Sequence, residues 1–148
     1  MKTIEKIIEA RKEIWDKQPD ELTEILKRRD MNMPAGNIIY GEACTRECCE
    51  MIWNFEGGMR SGKISERTAK QFLPVFFKHF SVDMHPFYNL KICASLLDSM
   101  AEEVPSLTLD EILQTLDEFR VYLDRLNLWI DLYVPWQAAN EELRKLNF

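Results

Sequence analysis

The sequence predicts an all-α protein: a bundle of five to seven helices around one long helix in the C-terminal half, over about 108–134, forming a single domain across 1–148. Three observations predict it. Apolar residues recur three and four positions apart almost throughout, the spacing of helices with one buried face, while the alternation of a half-buried strand is nearly absent. Only 5 Gly and 6 Pro occur in 148 residues, so few breaks separate the periodic stretches. Hydrophobic residues make up 46% of the chain, with charges of both signs among them, enough for one core without disulfide or metal staples.

Taken in order, Ile4, Ile7, Ile8 and Trp15 mark a first helix ending near Pro19, and Leu22, Ile25 and Leu26 a short second one capped by Asp20. Met33-Pro34-Ala35-Gly36-Asn37 has the composition of a turn, and Ile38-Ile39-Tyr40 is the one stretch that reads as briefly extended. A third helix is expected beyond Gly41, with Cys44, Cys48, Met51, Ile52 and Phe55 on its buried side and Gly57-Gly58 ending it. Ser65 caps the next, whose stripe is Ala69, Phe72, Leu73, Phe76, Phe77 and Phe80, and Pro74 should kink or break it.

Asp83 or His85 then precedes a helix with Pro86 in its first turn and the regular stripe Leu90, Cys93, Ala94, Leu97, Met100, Ala101 and Val104. Thr108 followed three residues later by Glu111 is a capping box, with Leu107 and Ile112 as its staple. The long helix follows, on Leu109, Ile112, Leu116, Phe119, Leu123, Leu126, Ile130 and Tyr133. Pro135 should bend or end it before a last short helix carrying Trp136, Ala139, Leu143 and Leu146. No internal repeat or linker divides the chain.

Several function classes are disfavoured by composition. A net charge of -6 argues against general nucleic-acid binding, which depends on cations meeting phosphates. The most apolar windows are far shorter than a membrane span, and charges at Lys2, Glu5 and Lys6 do not suit a secretory leader. Four clustered cysteines do not resemble a disulfide framework, so a reducing cytoplasm is the expected location.

Two surfaces are candidates for binding. The second half of the long helix is apolar nearly all round: Val121, Leu128 and Leu132 face away from its main stripe, with Tyr122 and Trp129 between. Such a helix must be covered on two sides, either by other helices of its own chain or by a partner, and in the second case Tyr122, Leu128, Trp129 and Leu132 are candidate contacts for a protein partner or a second copy of the chain. Arg60, Lys63, Arg67, Lys70 and Lys78 gather on one face, and the first four are candidates for an anionic ligand near the helix start at Ser65.

Metal, nucleotide and catalytic sites have less to draw on. Cys44, Cys48, Cys93 and His79 have ligand chemistry, but the paired short spacings of structural zinc sites are missing, and buried cysteine behaves as a small hydrophobe. Cys49, on the flank of its helix, is the expected reactive thiol. Gly57 to Lys63 has the glycine and lysine spacing of a phosphate-binding loop, yet Ile64 stands where the magnesium-binding hydroxyl belongs. His79 and His85 have no evident nucleophile, so no catalytic residue and no cofactor are assigned. The sequence reading is a non-enzymatic interaction module, a small adaptor, regulator or inhibitor; the alternative is a protein that binds a small anion or a metal.

Overall fold

The computed structural model describes residues 2–15, 35–87 and 90–146, with side chains over 2–12, 43–87 and 90–127. Across them the chain forms five α-helices and no strand: α1 Thr3–Trp15, α2 Ala35–Arg60, α3 Glu66–Met84, α4 Lys91–Glu103 and α5 Leu109–Leu146. A 3-10 turn, Val104–Ser106, joins α4 to α5. Among the described residues no helix is long and apolar enough to cross a membrane.

Helix starts follow local chemistry where a side chain can cap. The Thr108 backbone N–H donates to Glu111 Oε1 at 3.1 Å while the Glu111 N–H donates to Thr108 Oγ1 at 3.2 Å, a reciprocal box that satisfies two otherwise orphaned donors at the start of α5. Leu107 and Ile112 beside it are both buried. Ser65, extended at φ -74 and ψ 161, accepts the Thr68 N–H at 3.1 Å and opens α3.

Five expected boundaries move. Helix α2 begins at Ala35, so neither the turn at 35–37 nor the extended stretch at 38–40 forms; a short apolar run suits a helix turn as well as a strand. It also runs through Gly57-Gly58 to Arg60, and the left-handed residue that turns the chain is Gly62, at φ +79. The Ile64 N–H closes that turn on Gly58 O at 2.9 Å, and the Ile64 side chain lies over Gly58, where a Cβ would stand 2.5 Å from its Cδ1.

Pro74 does not break α3, because the proline withdraws one N–H while the buried face on either side stays packed. Helix α4 starts at Lys91 rather than around Pro86: the Phe87 N–H donates to Met84 O and the Leu90 N–H to Phe87 O, bonds three residues back rather than the four of an α-helix. Helix α5 continues through Pro135 to Leu146, absorbing the expected last helix. The short helix expected around Leu22 lies outside the described residues.

Packing joins α2 to α5 and α3 to α4, with α1 lying on α5 and also touching α4. Polar bonds set the register of the first pair: Thr45 to Asn127, Cys49 to Asp124 at 3.3 Å and Glu56 to Arg120 at 2.9 Å. Numbers rise along α2 as they fall along α5, so the two are antiparallel. Helix α1 is pinned at its start, where the Thr3 N–H and hydroxyl both donate to Glu103 of α4 at 2.8 and 2.6 Å, a carboxylate at the positive end of a helix. Further along, Arg11 of α1 pairs with Glu118 of α5. The core so enclosed is built on Ile7, Ile52, Leu73, Phe77, Leu97 and Phe119, each at most 1% exposed.

Candidate functional site

Helix α3 is held from two sides, and that decides which of its residues remain outside. Leu73, Phe77, Phe80 and Met84 are buried, and Cys93 of α4 donates to the Met84 sulfur at 3.3 Å. Phe76 meets Phe55 of α2 edge to face at 5.3 Å and Phe80 at 5.0 Å. Lys78 reaches Asp98 of α4 at 3.1 Å, and Asp98 also accepts from Ser81; that bond and the Lys78 ammonium hold its carboxyl below the usual range despite some burial.

The opposite face carries Phe72, Val75 and Val82, which are 58%, 69% and 70% exposed. With His79 they are spaced three, four and three residues apart, so they form one row along the helix. His79 is itself exposed, 3.3 Å from Asp83, with its ring edge-on to Phe80. Phe72 therefore does not belong to the core stripe in which its spacing places it. The buried arc of α3 begins at Phe76, and Phe72 lies about 40° beyond it, on the water side.

Two of the basic residues lie beside this row. Arg67 and Lys78 flank it on α3, and Arg60 and Lys63 sit just before the helix; all four are exposed. Arg60, Lys63 and Arg67 have no ion pair among the described residues. Lys70 is drawn to Glu66 one turn away at 3.9 Å, so the predicted anion-binding set is only partly uncommitted.

Of the other predicted contact surface, only Tyr122 has a described side chain. Tyr122 is 2% exposed, its ring stacked on Phe119 at 6.0 Å, so it is a core residue with no area left for a partner. Leu128, Trp129 and Leu132 belong to α5, but their side chains lie outside the described residues.

Between α2 and α5 a surface cleft of about 400 Å³ is lined by Arg46, Cys49, Glu50, Trp53, Asp124 and Asn127, together with Arg120. Its charges are mixed, two cations against two acids, and so do not select an ion. Beside it Arg120 lies over the Trp53 ring at 4.8 Å, reaches Glu56 Oε2 through Nε and donates to Asp117 at 2.6 Å. Burial opposes the Arg120 charge, but these acceptors outweigh it and raise its pKa. No sequence pattern announces this network, because Glu56 and Arg120 are distant in the chain and look like ordinary helix charges.

The cysteines are all free thiols. Cys48 and Cys93 are buried, and burial pushes both thiols up, Cys48 further through the neighbouring thiols and Glu47. Cys49 does not have the reactive character expected of it: burial and its bond to Asp124 raise its pKa to about 12, which suppresses the nucleophilic thiolate. Among the described residues no three or more His, Cys, Asp or Glu groups converge as a metal site, and His79 is exposed on the row described above.

Comparison with protein-family models, curated proteins and solved structures finds no match to this chain.

Proposed function

We propose that the chain is a non-enzymatic interaction module, a helical bundle that works by laying the outer face of α3 against a protein partner, as a small adaptor, regulator or inhibitor. The observation that supports this reading is the row of Phe72, Val75 and Val82, each more than half exposed on a helix whose other face is fully packed. Single exposed apolar side chains are ordinary; three in one row, with His79 between the last two, form a patch that gains by being covered. Burying one such side chain completely is worth roughly 1.5–3 kcal/mol. A reducing compartment suits the four free thiols.

The experiment is calorimetric titration of the full chain with an uncharged amphipathic helical peptide, leucine at three-four spacing and glutamine elsewhere. Weak binding in the micromolar range is expected from so small an interface, lost by about tenfold or more in Val75→Asp. Binding that Val75→Asp leaves untouched would remove the reading.

A further inference from the structure

Resting on that reading of α3, we infer that the partner is an acidic amphipathic helix. The spacing points to a helix. Phe72, Val75, His79 and Val82 fall at three-four-three intervals, the seam on which a second helix packs side chain into gap. A strand would need unpaired backbone groups to pair with, and a helix face offers none.

Charge points to acid. Arg67 and Lys78 border the row on one flank, while Arg60 and Lys63 extend the same sign past its amino-terminal end. Of these four only Lys78 has an ion pair among the described residues, with Asp98, which is half-buried. A partner with carboxylates along the facing flank would meet Lys78 beside the row and Arg67 just before its start.

The same arrangement disfavours a second copy packed antiparallel. Two α3 helices packed antiparallel about a two-fold axis would set the Lys78 flank against itself, like charge to like, and seat the polar His79 opposite an apolar neighbour. An anionic bilayer suits it less, since interfacial helices sink a broad apolar face between basic borders. Here the far border carries Asp83, and the broad apolar face of α3 is inside the protein.

Three peptides of about three heptads test this, sharing one leucine row and differing only in flank residues: glutamate, glutamine or lysine. The full-length protein is titrated with each by fluorescence anisotropy at low and high salt, with vesicles of anionic lipid as a fourth probe. The glutamate peptide should bind tightest, on the order of tenfold better than the glutamine peptide at low salt, with the advantage shrinking at high salt and the lysine peptide weakest. Arg67→Glu should narrow the gap between the glutamate and lysine peptides, and circular dichroism of that variant should match the parent. Equal binding of the glutamate and glutamine peptides overturns the acidic partner while leaving the interaction face standing. Failure of all three overturns both, and vesicle binding that Val75→Asp abolishes, in the absence of peptide binding, assigns the face to a membrane instead.

Discussion

Arg120 of α5 donates Nε–H to Glu56 Oε2 of α2 at 2.9 Å, and the other oxygen of that carboxylate, Oε1, is buried with no hydrogen-bond partner among the described residues. Glu56 is 3% exposed, so its charge depends chiefly on this one guanidinium. Arg120→Ala leaves it poorly compensated and should cost about 3 kcal/mol, read as a lowered urea midpoint. Glu56→Gln should cost less, because an amide in the same space carries no charge to desolvate.

The same pair gives a pH dependence. Burial raises the Glu56 carboxyl above its ordinary value, more than the bonds and charge of Arg120 lower it. The folded state then holds the proton more tightly than the unfolded chain, so ionised Glu56 subtracts stability at neutral pH. That penalty is relieved as pH falls through the raised value toward the ordinary carboxylate range. Across this window wild-type stability should fall with rising pH relative to Glu56→Gln, and urea midpoints at several pH values measure the difference. Asp98 and Glu111, whose values are lowered, titrate below the window and are common to both proteins.

Three glycines around the end of α2 should respond in three ways. Gly57 sits inside α2, and a methyl group added to it would meet nothing within 4 Å, so Gly57→Ala should add about 0.5–1 kcal/mol of stability. Gly62 holds φ +79, where alanine is strained, and Gly62→Ala should lose about 1 kcal/mol. Gly58→Ala must displace Ile64 and should forfeit the helix gain seen at Gly57. Thermal unfolding of the three variants ranks them.

Thiol labelling followed by peptide mass analysis should find Cys48 and Cys93 unmodified at neutral pH until the protein is unfolded, because both are buried and their thiolates disfavoured. Cys49 should label slowly, and faster in Asp124→Asn, which removes the carboxylate that its thiol donates to.

Legibility in the sequence follows the range of the interaction. The Thr108–Glu111 box and the Ser65 cap are made by residues three apart, and both can be read directly from the chain. The buried stripe of α4 is equally plain, since Cys93, Leu97 and Met100 have no rival face. Phe72 is not: the spacing puts it with five others in the α3 stripe, but which edge faces water depends on where α2 and α4 press, a fact held by Phe55 and Asp98 in other helices. Tyr122 defeats the helical wheel differently, because the core wraps far enough round α5 to enclose its ring beside Phe119. Pro74 and Pro135 carry a local penalty that the rest of each helix outweighs.

Methyl resonances of the full chain, followed as the glutamate-flanked peptide is added, report on the α3 face residue by residue. Val75 and Val82 should shift progressively while Leu97 and Leu123 in the core stay fixed. Shifts centred elsewhere, with the two valines unmoved at saturation, would rule out this face as the binding surface.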